Sequence, residues 1–199
     1  MTAAGPDDLC RILTYAEAVD DRTGVHELGA DLLIVPFWTP EFCAAVVRAA
    51  ELVGFAQDPD DPVPGHEVPL AAISPQLYAA VQDDLGARIW PQLQDVWPLI
   101  DYHGLRDAFV IRYVRGEQEE LRAHHDVAQV SATVKLDDDH DGAELRFPRQ
   151  GVDNRDVPVG ALLAWPSLVT HPHEAAALRR GVKHGLTIWF ELPFSGLEV

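Results

Sequence analysis

The stretch RAHHDVAQVSATVKLDDDHDGAELRF, residues 122–147, decides the fold. Its centre, VAQVSATVKL, alternates apolar with small polar residues at the period of two that marks a half-buried strand. An acidic turn, DDDHDG, ends that strand, and AELRF resumes the rhythm. Working outward, FVIRY (109–113) supplies a strand before this stretch. After it come GALLAW (160–165), introduced by a glycine, and KHGLTIWF (183–190). Short strands separated by turn signals are the raw material of a barrel or sandwich.

Helices precede this run. DLLIVPFW (31–38) reads as a strand, and TPEFCAAVVRAAELVG (39–54) as a helix with Thr39 as N-cap, Pro40 in its first turn and Gly54 past its end. SPQLYAAVQDDLGARIW (74–90) repeats the device with Ser74 and Pro75. Helices first and strands later predict an α+β domain, its helices packed on one side of a barrel-like double sheet. The 199 residues suit a single domain, 1–199, with about 1–27 as an N-terminal extension.

Composition narrows the classes. Thirty-two acidic residues against fifteen basic give a formal charge of −17, which argues against nucleic acid or an anionic membrane surface as partner. Solubility is its plainest meaning, because acids cluster in the expected loops DPDDP (58–62) and DDDHD (137–141), although it also favours a cationic substrate. No basic start leads into an apolar run and no stretch reaches a membrane span, so a cytoplasmic location is expected. Cys10 and Cys43 are too few for a disulfide framework, and Cys43 is expected to be buried on its helix.

The chemistry sits in two segments. In an extended strand His124 and Asp126 share one face and His125 takes the other. THPHE (170–174) offers His171 and His173, again two residues apart and on one face, so parity leaves the choice between them open. Two imidazoles and one carboxylate make a face that suits Fe(II) and leaves coordination positions for small ligands. A lone H-x-D triplet is common by chance; its setting among strands gives it weight.

Taken together, FVIRY, HHD (124–126), DGAELRF (141–147), GALLAWP (160–166), LVTHPHE (168–174) and RGVKHGLTIWF (180–190) resemble the 2-oxoglutarate and Fe(II)-dependent dioxygenases of the prolyl and lysyl hydroxylase superfamily. The likeness is greatest to the catalytic domain of procollagen lysyl hydroxylases and extends over roughly residues 30 to 195. It implies a double-stranded β-helix, a jelly-roll or cupin-like barrel, with supporting N-terminal helices. In that family a basic residue ten positions after the second histidine grips 2-oxoglutarate, and ten before Lys183 is His173. The resemblance therefore selects His173, with His171 as its substitute. Lysyl hydroxylases carry arginine where Lys183 stands, whereas collagen prolyl hydroxylases use lysine.

The resemblance implies that His124, Asp126 and His173 bind Fe(II), and that 2-oxoglutarate and O2 complete the site, with ascorbate in support. Lys183 then meets the C5 carboxylate, with Tyr113, Ser131 and Thr133 as further contacts. Related halogenases lack the carboxylate, so Asp126 points to a hydroxylase. Along the last strand Lys183, Gly185, Thr187 and Trp189 share one face. Arg179 and Arg180 read as turn residues, and His125, His140, His171 and His184 as structural or surface. FAQDPDDPVPGHEV (55–68) is a plausible lid.

The expected activity is hydroxylation of an unactivated C–H bond in an amino acid or peptidyl side chain, lysine-like by preference, with release of succinate and CO2. The alternatives are a noncatalytic barrel that binds a metal or small anion as sensor or scaffold, and a zinc hydrolase. The latter lacks a carboxylate at helical spacing to act as general base.

Overall fold

A computed structural model of the chain describes residues 14–57 and 62–193. Two antiparallel sheets and a helical layer make up the domain. The larger sheet runs β1 (His26–Gly29), β2 (Leu32–Pro36), β10 (Ala161–Pro166), β6 (Val130–Lys135), β12 (Leu178–Phe190), β4 (Leu105–Val114), β3 (Glu67–Pro69), and β7 (His140–Gly142) pairs with β12. The smaller sheet runs β5 (Leu121–His124), β11 (His173–Ala175), β8 (Leu145–Phe147), β9 (Val152–Asp153).

The helices form where their caps predict. After the short α1 (Tyr15–Ala18), α2 spans Pro40–Val53, and the Thr39 hydroxyl accepts from the Phe42 amide at 3.4 Å. Its buried face carries Phe42, Cys43, Ala45, Val46, Ala49 and Ala50, the near-fourfold spacing of one apolar stripe. A single turn, α3 (Leu70–Ile73), leads to α4 (Pro75–Asp84), capped by Ser74 at 3.1 Å from the Leu77 amide. The second helix does not continue regularly to Trp90: Leu85–Ile89 is a π-helical turn before α5 (Trp90–Gln94). Gly86 lies there against the Tyr102 ring, where a Cβ would come within 2.6 Å of Cε1. The ring thus occupies the space that a side chain at this position would need.

These helices cover one face of the larger sheet. Leu186, Ile188 and Phe190 of β12 belong to that core with Val134, Leu162, Val46 and Leu77. The opposite face of β12 looks toward the smaller sheet, and a cavity lies between the two. The described part of the expected N-terminal extension packs into the fold, since Tyr15 meets Trp38 and Phe42 edge-on and Val19 bridges to Trp38. Cys43 is buried as expected and its thiol is pushed up to about 12, chiefly by burial; Cys10 lies outside the described residues.

Two local expectations are corrected. Arg179 and Arg180 are strand residues, because β12 begins at Leu178 and pairs with β7 across the acidic turn. The guanidinium of Arg179 donates to Asp141 at 2.7 Å and to Glu144 at 3.2 Å. The segment 55–68 is not all loop, since Ala56 bridges to Glu67 and Glu67 opens β3. No helix among the described residues is long and apolar enough to cross a membrane.

Candidate functional site

Strand pairing assembles the histidines. His173 in β11 lies directly opposite His124 in β5, with ring centroids 4.5 Å apart. Asp126 stands just past the end of β5 and its carboxylate reaches between them: Oδ1 is 3.6 Å from His124 Nε2, and Oδ2 is 3.6 Å from His173 Nε2. The three donor atoms lie within 4.8 Å of one another. The amide of Leu168 holds the Asp126 carbonyl at 3.0 Å and fixes the chain there.

The donor set fits a divalent metal on two grounds. Each Nδ1 donates to a backbone carbonyl, His124 to Arg122 at 2.8 Å and His173 to His171 at 3.0 Å, which leaves both Nε2 lone pairs facing Asp126. Burial also pushes the His173 imidazole below its ordinary pKa, against the opposing pull of Asp126, so the neutral ligand form is favoured. His171 cannot serve in this arrangement. It is buried, and its Nδ1 and Nε2 are both committed, to Thr170 Oγ1 and the Ala30 carbonyl, each at 3.0 Å.

The three residues form one wall of a cavity of about 440 Å³. Lys183, Gly185, Thr187 and Trp189 all line it, as strand parity requires, and Tyr113, Ile111, Phe109 and Asp107 line it from the facing strand β4. Lys183 is buried, its Nζ donates to the Ala143 carbonyl and sits 5.1 Å from the centre of the Tyr113 ring. Among the described residues it forms no ion pair. Burial lowers its pKa to about 8. Burial likewise pushes the Tyr113 phenol upward, so it stays a neutral hydroxyl.

Of the remaining sequence candidates, Thr133 lines the cavity and Ser131 does not. The Ser131 hydroxyl pairs instead with that of Ser167 at 2.7 Å. His125 is exposed at the rim, His140 bonds the Gly142 carbonyl, and His184 is clasped by Asp137 at 2.6 Å and Glu51 at 2.9 Å. Pro62, Val63, Gly65 and Glu67 of the 55–68 segment also border the cavity. Sequence reasoning missed Asp107, Phe109, Asn154 and Trp165. Counting back by twos from Tyr113 would have found the first two, and nothing in the sequence marks Asn154.

Comparison with known proteins accords with this geometry. No protein-family model matches the chain. It is similar to the rat multifunctional procollagen lysine hydroxylase and glycosyltransferase LH3, 26% identical over 184 residues, which is 85% of this chain and 25% of that protein. Human procollagen-lysine,2-oxoglutarate 5-dioxygenase 1 is 34% identical over 80 residues, 39% of this chain and 11% of that one. The chain thus spans a quarter or less of the length of these relatives. Among solved structures, the viral collagen prolyl hydroxylase of Paramecium Bursaria Chlorella virus-1, in its 2OG complex, superimposes with a TM-score of 0.60 at 15% identity, covering 82% of this chain and 98% of that one. A Pseudomonas putida prolyl-4-hydroxylase gives a TM-score of 0.57 at 20% identity, covering 92% and 98%. The relatives are hydroxylases of the prolyl and lysyl type, and the fold is shared with them.

Proposed function

We propose that this chain is an Fe(II)- and 2-oxoglutarate-dependent dioxygenase that hydroxylates an unactivated C–H bond in an amino acid or peptidyl side chain. The observation that carries the reading is that one cavity holds both a His–Asp–His cluster and a buried ammonium without an ion-pair partner among the described residues. The charges balance. Divalent iron with Asp126, and a dicarboxylate with Lys183, leave no net charge in a poorly solvated space, the condition under which buried charges are tolerated.

His124, Asp126 and His173 would hold the iron. When bound, iron and keto acid supply oxidation of the C–H bond by O2, coupled to decarboxylation of 2-oxoglutarate to succinate and CO2. The chain's own residues bind, orient and exclude water. Lys183 grips the C5 carboxylate in a charge-assisted hydrogen bond, Tyr113 covers it, and Thr133 offers a hydroxyl nearby. The backbone carbonyls of Arg122 and His171 keep both imidazoles in the ligating tautomer.

The two sheets would be the halves of a double-stranded β-helix. Successive strands support this: β5 lies in the smaller sheet, β6 in the larger, β8 and β9 in the smaller, β10 in the larger, β11 in the smaller and β12 in the larger. For the substrate, Glu67 and Asp107 border the cavity, while the Arg106 guanidinium turns to the Val127 carbonyl. The Asp107 carboxylate on the cavity face offers a counter-charge to an amine-bearing side chain, such as a lysine free or within a peptide.

The test is succinate release with Fe(II), ascorbate and 2-oxoglutarate, screened across free amino acids and lysine- or proline-containing peptides. Stimulated release with a matching mass gain of one oxygen supports the reading. Absence of any keto-acid turnover, coupled or uncoupled, with an intact iron site refutes it.

A further inference from the structure

Trp165 has a buried donor with no partner. The residue is 2% exposed, and its Nε1 meets no acceptor among the described residues. A buried N–H without an acceptor has given up its hydrogen bond to water with nothing in return, so each one needs a physical account. Two of the other indoles have theirs: Trp38 donates to the Tyr15 hydroxyl at 3.1 Å and Trp97 to Asp31 at 2.9 Å. Trp90 and Trp189 also lack one: the Trp90 ring is packed against Tyr102 and Phe190 in the helical core, and that of Trp189 lies edge-on to Phe109 on the cavity face it shares with Lys183. Trp165 borders the same cavity beside the His–Asp–His cluster.

Its place there is specific. Strand alternation in β10 turns Leu163 and Trp165 inward, and the indole packs T-shaped on the His173 ring, centroids 5.0 Å apart, and on Phe147 at 5.1 Å. The ring is therefore held beside one metal-ligand candidate, remote in sequence and function from the Lys183 grip. The Asp126 carboxylate, 3.6 Å from each Nε2, is not a partner of the indole.

Resting on the reading of the site as a metal and keto-acid centre, we propose that Trp165 Nε1–H donates to a carboxylate oxygen of the 2-oxo acid at its metal-chelating end. Two donors at opposite ends then read one ligand. Lys183 selects for the distal carboxylate, and Trp165 recognises the end that every chelating 2-oxo acid or oxalate shares. A hydrogen bond to a charged acceptor in a dry site is strong enough to matter at about tenfold or more in affinity.

Calorimetric titration of the Zn(II)-loaded protein, which supports no turnover, separates these roles with 2-oxoglutarate and oxalate as probes. Trp165→Phe keeps the packing and removes the donor. It should weaken both probes by about tenfold while leaving Zn(II) affinity unchanged, whereas Lys183→Ala should weaken 2-oxoglutarate alone. Equal binding by Trp165→Phe and wild type overturns the proposal. So does a loss of Zn(II) affinity in that variant, which would make Trp165 a packing residue for His173. Wild-type protein that binds Zn(II) but neither probe overturns the keto-acid reading itself. Should Trp165→Phe fail to fold, the indole ¹H–¹⁵N signal of wild type decides. Oxalate should shift the Trp165 indole proton downfield and slow its exchange with solvent, and an unmoved signal refutes the assignment.

Discussion

Lys183 and Tyr113 are register partners across β12 and β4, and the Lys183 ammonium lies 5.1 Å from the centre of the Tyr113 ring. The phenol face gives the charge a weak electrostatic partner without neutralising it. Burial dominates, and the lysine pKa falls to about 8. The protein thus keeps a cation in an unfavourable position, which is what an anion-binding site requires before its ligand arrives.

Removing that charge should stabilise the ligand-free protein. With a folded pKa near 8 and an ordinary value of 10.5, the folded state carries the full penalty below pH 8 and sheds it as pH rises toward 10.5. The difference corresponds to roughly 3 kcal/mol. Lys183→Met should therefore melt about 6–12 °C higher than wild type at pH 7, with the gap closing above pH 8. The same variant should lose 2-oxoglutarate affinity. A melting curve unmoved at pH 7 would mean that Lys183 is hydrated or paired in solution.

The same protonation sets a pH limit on binding. Wild-type affinity for 2-oxoglutarate should be flat below pH 8 and fall by up to tenfold per unit above it, as the ammonium is lost before binding. Calorimetry near pH 8 in buffers of different ionisation enthalpy should detect proton uptake on binding. Affinity that stays level to pH 10 would assign the grip to another cation.

The two histidines of THPHE separate cleanly. His173→Ala removes a donor atom that faces Asp126, and should lower Fe(II) or Zn(II) affinity by more than about a hundredfold. His171→Ala leaves the ligand atoms in place but strips partners from Thr170 and the Ala30 carbonyl, and should cost stability of about 1–3 kcal/mol with little effect on metal affinity. Metal titration and chemical denaturation of both variants check this. The reverse pattern would exchange their roles.

Strand parity was the legible part of this chain. It placed Lys183, Gly185, Thr187 and Trp189 on the cavity face and Leu186, Ile188 and Phe190 in the core, because a period of two depends only on backbone geometry. It also treated His124, His125 and Asp126 as one strand, although β5 ends at His124 and the Asp126 position rests on a tertiary hydrogen bond. Parity could not choose between His171 and His173. That choice depends on where the Ala30 carbonyl lies, a contact 141 residues away along the chain. Ser131 failed for a similar reason: its face is right, but Ser167 takes its hydroxyl. The π-helical turn at Leu85–Ile89 contains Gly86, which lies against the Tyr102 ring, a contact that helix propensity does not encode.

Gly160, the residue before GALLAW, is required by two conditions at once. Its φ is +83°, and a Cβ there would stand 2.0 Å from the Trp38 carbonyl oxygen. The amide of Trp38 bonds the Gly160 carbonyl at 2.9 Å, and the Gly160 amide bonds that of Lys135 at 2.8 Å, so the backbone cannot retreat without breaking the junction of β2, β6 and β10. Gly160→Ala should cost more than about 2 kcal/mol in denaturant unfolding, by strain and overpacking together. A loss below half that would show that the junction relaxes.

Asp107 provides the sharpest handle on substrate charge. It lies on the cavity face of β4, opposite Trp189, and one carboxylate oxygen accepts from the Ala108 amide at 2.8 Å. Burial pushes its pKa upward, against the opposing pull of the neighbouring Arg106 charge. If the substrate brings an ammonium, Asp107→Asn keeps the size and one hydrogen bond but removes the charge. It should raise KM for a cationic substrate by about tenfold or more and leave the 2-oxoglutarate requirement unchanged, since Lys183 and the ligand cluster are untouched. A neutral substrate would show the opposite, with KM unaffected or lowered, and that result would remove the amine preference while leaving the oxygenase chemistry standing.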